Sequence, residues 1–300
     1  MKAKKKAKST PTTKWIVGAV VLAGMAGVLT YALSGGKKPD NASGAAPALV
    51  STASAAEATA GTPSTALSSG ASAAAMQQAA SANKYLFAFF YEKDDDGTRA
   101  ARKTFDEAVK KITPAPHSVA LDRTAPAEKE LVTKFGVDRA PMPLVLAIAP
   151  NGAVTGGFKV ADLTVERLQD AVASAGLQTC LKALQDRRLV LVCLQNGRTQ
   201  ANEEAMKGVN DFKTTQFGSM TEIVKIDPTD PKETKLLAQL KADPQAKTAT
   251  TAFLAPPGVL VAKVEGPTSK DNLMASLQSA MSRSSCAPGA GAGCCPAPKK

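Results

Sequence analysis

Sulfur chemistry is the first activity these residues raise, since the chain has five cysteines and one histidine. A thiolate attacks disulfides, ligates soft metals and oxidises reversibly. Cys286, Cys294 and Cys295 sit in residues 284–300 (SSCAPGAGAGCCPAPKK), a Gly/Ala/Pro stretch that offers no core to bury them. Three readings stay open for them. They form a soft-metal site for Cu or Zn, or a redox-sensing or chain-linking thiol set, or a plain disulfide from Cys286 to Cys294 or Cys295 that leaves one thiol over. Their C-x7-C-C spacing matches no strong zinc pattern. Cys193 falls inside an apolar run and Cys180 in the helical stripe Leu177, Cys180, Leu181, Leu184, so both are expected to be core residues.

Other chemistries find little support. His117, between Pro116 and Ser118, reads as a loop residue with no nucleophile nearby. Asp94, Asp95 and Asp96 lack the spacing and closing glutamate of a calcium loop and read as a solvated acidic turn. There is no phosphate-cradling glycine loop and no catalytic serine motif. With no recognisable catalytic constellation, the sequence leans away from an enzyme.

The elements that must position any site begin with the charge distribution. The net charge is +11, but residues 1–38 hold eight lysines and no acid, and residues 84–282 retain only a small excess of positive charge. A nucleic-acid partner is not expected. Residues 1–14 form a basic tail ahead of residues 15–33 (WIVGAVVLAGMAGVLTYAL), a run of 19 residues without a charge. As a helix this run reaches about 28 Å, close to the hydrocarbon thickness of a bilayer. The lysines favour a cytoplasmic N-terminus, so the run is expected to be a single-pass transmembrane signal-anchor with the rest of the chain extracytoplasmic, periplasmic if the cell is bacterial. A signal peptide cleaved near Ala32 and Ser34 is the competing reading, and both export the chain. Residues 34–83, rich in Ala, Ser, Gly and Thr, are expected to be a disordered linker in which 75–82 flickers into helix.

Folded patterning starts at Lys84. Residues 85–91 (YLFAFFY) read as a strand buried on both faces, followed by a helix over 98–111, a strand over 118–121, a helix over 127–135 and a strand over 144–149. Pro150-Asn151-Gly152 predicts a hairpin turn into a strand over 153–158, and a helix over 164–174 closes the unit. The order repeats as strand 188–194, helix 202–212, strand 222–226, helix 234–241, strands 252–255 and 259–264 about Pro256-Pro257-Gly258, and helix 270–281. Two α/β domains follow, 84–176 and 177–282, with 283–300 as a flexible cysteine-containing tail.

This β-α-β-α-β-β-α order resembles the thioredoxin family, over residues 84–282. The most specific fragment is Phe135-Gly136-Val137 followed by Met142-Pro143, the apolar run 144–149 and Pro150-Asn151-Gly152. The resemblance implies two tandem thioredoxin-like domains, each a central mixed sheet flanked by helices, with Pro143 preceded by a cis bond in a loop that faces a bound peptide. It also implies a CxxC pair after the first strand, and there the chain departs from the family. The first domain has Asp95, Asp96, Gly97 and Thr98 at that place and the second has residues 195–200 (QNGRTQ), neither with a cysteine. Ala249 stands where the second domain would carry the proline. The expected function is therefore a redox-inactive protein- or peptide-binding or scaffold module using Met142 and Pro143. The alternative is a metal-binding or thiol-redox protein acting through Cys286, Cys294 and Cys295.

Overall fold

The computed structural model describes residues 70–285, with side chains to Ser282. The first half runs α1 (Ala71–Ser81), β1 (Leu86–Tyr91), α2 (Asp96–Val109), β2 (His117–Asp122), α3 (Lys129–Lys134), β3 (Leu144–Ile148), β4 (Val154–Lys159) and α4 (Val165–Asp170). The second runs α5 (Ala175–Gln185), β5 (Leu189–Leu194), α6 (Asn202–Lys213), β6 (Thr221–Ile226), α7 (Thr234–Leu240), β7 (Thr250–Ala255), β8 (Val259–Glu265) and α8 (Lys270–Ser285). The two sheets have orders β2-β1-β3-β4 and β6-β5-β7-β8. In each, the first two strands are parallel and the last two antiparallel. The expected β-α-β-α-β-β-α order is present twice, with one more helix in front of each copy.

The central strands explain the layering. Side chains alternate along a strand, so β1 sends Leu86, Ala88 and Phe90 to one face and Phe87 and Phe89 to the other. The first group packs with α1 and α3 through Ala79, Leu131 and Val132, the second with α2 and α4 through Phe105, Val109 and Leu168. Strand β5 repeats this: Val190, Val192 and Leu194 meet α5 and α7, and Leu191 and Cys193 meet α6 and α8. A strand apolar on both faces must be covered on both, hence three layers per domain.

Three local findings refine the sequence reading. Residues 34–69 of the expected linker lie outside the described residues, but its end is helix α1, set against the first sheet through Ala75, Met76 and Ala79. Alanine is the strongest helix former, and small side chains let the helix axis approach closely without an apolar pattern to announce it. Next, the helix expected over 164–174 stops at Asp170. The Tyr85 hydroxyl accepts from Ala173 N–H at 2.8 Å and lies 3.2 Å from Ala173 O, fixing the turn, and Ser174 restarts the chain as the N-cap of α5 by accepting from Leu177 N–H. Last, His117 is the first residue of β2 rather than a loop residue.

A repeated D-x-T-x-P-x-E stretch carries the join between sheet and first helix. Asp122 accepts from Thr124 N–H and Oγ1 at 2.8 and 2.6 Å, and Asp227 from Thr229 at 2.9 and 2.7 Å, so each strand ends in the same turn. These bonds hold both carboxyls below the usual aspartate range. Each turn delivers a buried glutamate under the N-terminus of the helix that leads its domain, α1 or α5. Glu233 is 6% exposed and accepts from Gly176 N–H at 3.0 Å and the Ser174 hydroxyl at 2.5 Å. Glu128 is 5% exposed and accepts only from Ser72 N–H at 3.4 Å, its Oε2 having no partner among the described residues. Carboxylates suit the positive end of a helix, and satisfied ones contribute most. Glu233→Ala should cost about 2 to 3 kcal/mol and Glu128→Ala clearly less, read as the loss of thermal stability by calorimetry. Equal losses would contradict this account of the two caps.

Candidate functional site

The candidate site is built at the end of the first sheet where β1 runs into α2 and the chain returns into β3. Four residues, 92–95, join β1 to α2. Asp95 caps the helix by accepting from Thr98 N–H at 2.8 Å, and that bond is the chief reason its carboxyl sits below the usual range. Arg99 donates to Asp94 O at 2.6 Å and pairs with Asp96 at 2.7 Å; Asp96 is the main cause of the rise in the Arg99 pKa. The expected degenerate loop Asp95, Asp96, Gly97 and Thr98 is thus a capped, solvated helix start. Its charge pairs are exposed and contribute little to stability.

Arg123, at the end of β2, ties this loop to the return segment. Its side chain is 19% exposed and pairs with Glu92 through Nη2. Its Nη1 donates to Ala140 O at 2.9 Å and to Val137 O and Asp138 O at 3.3 Å. A planar guanidinium with several donors can fix two backbone segments at once, where a lysine could not. The segment is shaped further by Gly136, whose φ of 62° is the left-handed conformation that ends α3. It leads to Met142-Pro143, and the bond between them is cis. The Met142 side chain packs on the apolar cluster of Leu144, Leu146 and Phe90. Its main-chain N–H and C=O, and the C=O of Pro141, make no hydrogen bond among the described residues.

The second domain treats the matching backbone differently. Thr248 precedes Ala249 as Met142 precedes Pro143, and there Gln200 forms a parallel bridge to Thr248. Gln200 N–H donates to Lys247 O at 2.9 Å, and Ala249 N–H donates to Gln200 O at 2.9 Å. The reach comes from a longer connection, seven residues (195–201) between β5 and α6. Ala201 at its end adopts φ 59°, a conformation that costs a non-glycine residue and persists only where neighbours impose it. Asn196 and Thr199 brace the loop, Asn196 donating to Asp227 at 2.8 Å and Thr199 to Asn202 at 2.7 Å. The 195–201 loop of this domain thus takes up main-chain groups on either side of Thr248. No pattern of side chains foretells that contact, because main-chain groups make it.

The cysteines divide as follows. Cys180 lies in the core facing α5 and α7 and Cys193 in the core facing α6 and α8, on opposite faces of one sheet. Both are free and buried, and burial is the main cause that pushes their thiols up to about 12 and about 11. Cys286, Cys294 and Cys295 lie outside the described residues, as does the expected anchor 15–33. Among the described residues no helix is long and apolar enough to cross a membrane, and no group of three His, Cys, Asp or Glu is placed to hold a metal.

No family model matches the sequence, and no curated protein does. Among solved structures, human ERp44 form II is similar at 9% identity and a TM-score of 0.30, covering 75% of this chain and 59% of that one. The first two thioredoxin domains of Saccharomyces cerevisiae Eps1p match at 10% identity and 0.24, covering 63% and 87%. The NTD_N/C domain of alkylhydroperoxide reductase AhpF from Enterococcus faecalis matches at 12% and 0.24, covering 68% and 98%. The tandem thioredoxin-like arrangement stands on this chain's own strand order, directions and helix placement.

The raised thiols have a consequence for stability. An unfolded chain releases thiol protons near 9.0, while the folded chain keeps them to about 11 and 12. Stability is therefore full below pH 9 and falls as pH rises, by about 1.4 kcal/mol per pH unit for each thiol. Urea unfolding at pH 8 and pH 10.5 should show a smaller loss in the Cys180→Ala/Cys193→Ala double variant than in the natural chain. An equal loss would place the titration elsewhere.

Proposed function

We propose that this chain is a membrane-anchored, extracytoplasmic binding module with two redox-inactive thioredoxin-like domains, of which the first holds an extended segment of a partner protein or peptide. The supporting observation is a contrast in the return segment of the two domains. In the second domain Gln200 takes the Lys247 C=O and the Ala249 N–H on either side of Thr248, whereas in the first domain the Pro141 C=O, like the Met142 N–H and C=O, has no hydrogen bond among the described residues and Met142 adds an apolar side chain. Main-chain donors and acceptors at a sheet margin are completed by adding an extended chain, and neighbouring side-chain pockets then supply selectivity. Gln200 in the second domain is an internal example of such an occupant.

The rim qualifies the partner. Glu92, Asp94, Asp95, Asp96 and Asp138 lie on the two loops that Arg123 ties together, with Arg99, Arg123 and Arg139 already paired to four of them. Segments with an apolar residue for Met142 and a lysine or arginine beside it suit this surface. Thiol exchange is not part of the proposal, because neither helix start carries a cysteine and the two described thiols are buried. An anchor at 15–33 and a linker would hold the domains clear of the membrane, which suits capture of extracytoplasmic partners.

Peptides selected from a display library of extended heptamers against the full chain should lose at least about tenfold in affinity when Met142→Pro removes the N–H, the scale of one well-placed hydrogen bond. Circular dichroism should confirm an intact fold in that variant, and Pro143→Ala should also weaken binding. Unchanged affinities in both folded variants would sink the peptide reading.

A further inference from the structure

The four large apolar side chains that stand exposed among the described residues are Met220 at 50%, Val259 at 55%, Leu260 at 43% and Met281 at 49%. They are distant in sequence, yet the topology brings all four to one end of the second domain. Met220 immediately precedes β6, whose first residue, Thr221, pairs with Leu189 at the start of β5. Val190, the next residue of β5, pairs with Leu254, which pairs in turn with Leu260. Three steps of about 4.8 Å across the sheet therefore set Met220 and Leu260 about 14 Å apart. Helix α8 starts at the other end, where the Thr268 hydroxyl donates to that of Thr251 at 3.2 Å. From Lys270 to Met281 it climbs back about 17 Å along the sheet. Its Leu277 lies in one apolar cluster with Leu189, at the shared end.

The matching end of the first domain is covered. Gln185 donates to Val154 O at 2.7 Å and accepts from Val154 N–H at 2.9 Å, and Leu181 packs on the first core. In the second domain Val259 and Leu260 instead follow an exposed Pro257-Gly258 turn. Single apolar residues scattered over a surface need no explanation, but four gathered at one end mark a surface for binding. Charge selects the occupant. Three carboxylates at this end, Asp186, Asp211 and Glu222, are each paired, with Lys182, Lys207 and Arg188. Arg187 and Lys213, the latter donating to Thr221 O at 2.9 Å, add two further positive charges. The end is thus apolar at its tips and positive around them. A bilayer with anionic headgroups over acyl chains offers the complement of both.

We propose that this end of the second domain rests on an anionic lipid surface, with Met220, Val259, Leu260 and Met281 below the headgroups and Arg187 and Lys213 among them. The inference rests on the membrane-anchored reading above, which sets a bilayer beside the domain. It is separate from the peptide reading, since Met142 belongs to the first domain. Four aliphatic or thioether side chains make a shallow, reversible contact, which a covalently attached anchor would make lasting. Gln200 and Thr248 lie at the opposite end of the second sheet and would face away from the lipid.

The test reconstitutes the full chain in vesicles of phosphatidylcholine and phosphatidylglycerol, with a benzophenone amino acid at Leu260, at Met281 or at the exposed Lys247 of the opposite end. Photo-adducts are mapped by mass spectrometry. Lipid adducts are expected from Leu260 and Met281 and not from Lys247, with yields falling at least about threefold in phosphatidylcholine alone. A chain that floats with the vesicles but gives no lipid adduct at Leu260 and Met281, gives as much at Lys247, or gives protein adducts instead overturns the docking and leaves the anchor standing. Yields unchanged without phosphatidylglycerol overturn the anionic surface and with it the proposal. A chain that does not float overturns the anchor and the docking together. A second measurement needs no substitution: in the reconstituted natural chain, exchange of the Val259 and Leu260 amides should slow at least about threefold when phosphatidylglycerol is included. Unchanged exchange would also overturn the proposal.

Discussion

A strand that is apolar on both faces has to be roofed on both, and this requirement organises each half of the protein. Strand β1 and strand β5 each need helices above and below, and the chain meets the need by placing one helix before the first strand as well as those after it. Those leading helices, α1 and α5, begin over a buried glutamate from the turn after the second strand. Once the layers are set, the ends of the central strands are the places where the backbone emerges from full coverage, and the loops that carry Met142 and Gln200 gather there.

The two halves have used that shared frame differently. In the first, a short connection leaves α2 capped by Asp95, while Arg123 holds the return segment in place and leaves Met142 open. In the second, three further residues in the connection let Gln200 complete the edge at Thr248, at the cost of a left-handed Ala201. Burial puts the two described thiols into opposite cores, where desolvation disfavours the thiolate that exchange chemistry needs. What separates the halves is therefore the length of one loop and the pairing of a few main-chain groups, rather than any change in sheet order.

Much of the fold was legible because it follows from side-chain pattern. The aromatic run at 85–91, the Pro-Asn-Gly turn, the heptad-like spacing of Phe105 and Ala108, and the repeat of strand and helix order all report burial directly, and the resemblance placed Pro143 after a cis bond that is indeed cis. Helix α1 was legible only as an Ala-rich stretch over 75–82 that flickers into helix, and its packing was not, since alanine and serine bury by being small. The repeat held a clue, because α5 precedes β5 and a counterpart before β1 would complete the match. Glu128 and Glu233 had a signal in the doubled D-x-T-x-P-x-E stretch, which reads as ordinary loop composition until the burial is known. The break at Ala171–Ser174 depends on the Tyr85 hydroxyl, far away in sequence, and the Gln200 bridge depends on main-chain groups that every residue has.

The central claim, that the first domain presents an unpaired edge which the second has closed, is tested most directly by amide hydrogen exchange of the full chain with and without a saturating selected peptide. The account predicts that the Met142 amide exchanges rapidly in the free chain and becomes protected on binding, while the Gln200 and Ala249 amides are protected in both states and do not change. A Met142 amide already protected without peptide, or one that a saturating peptide leaves unchanged, would contradict it.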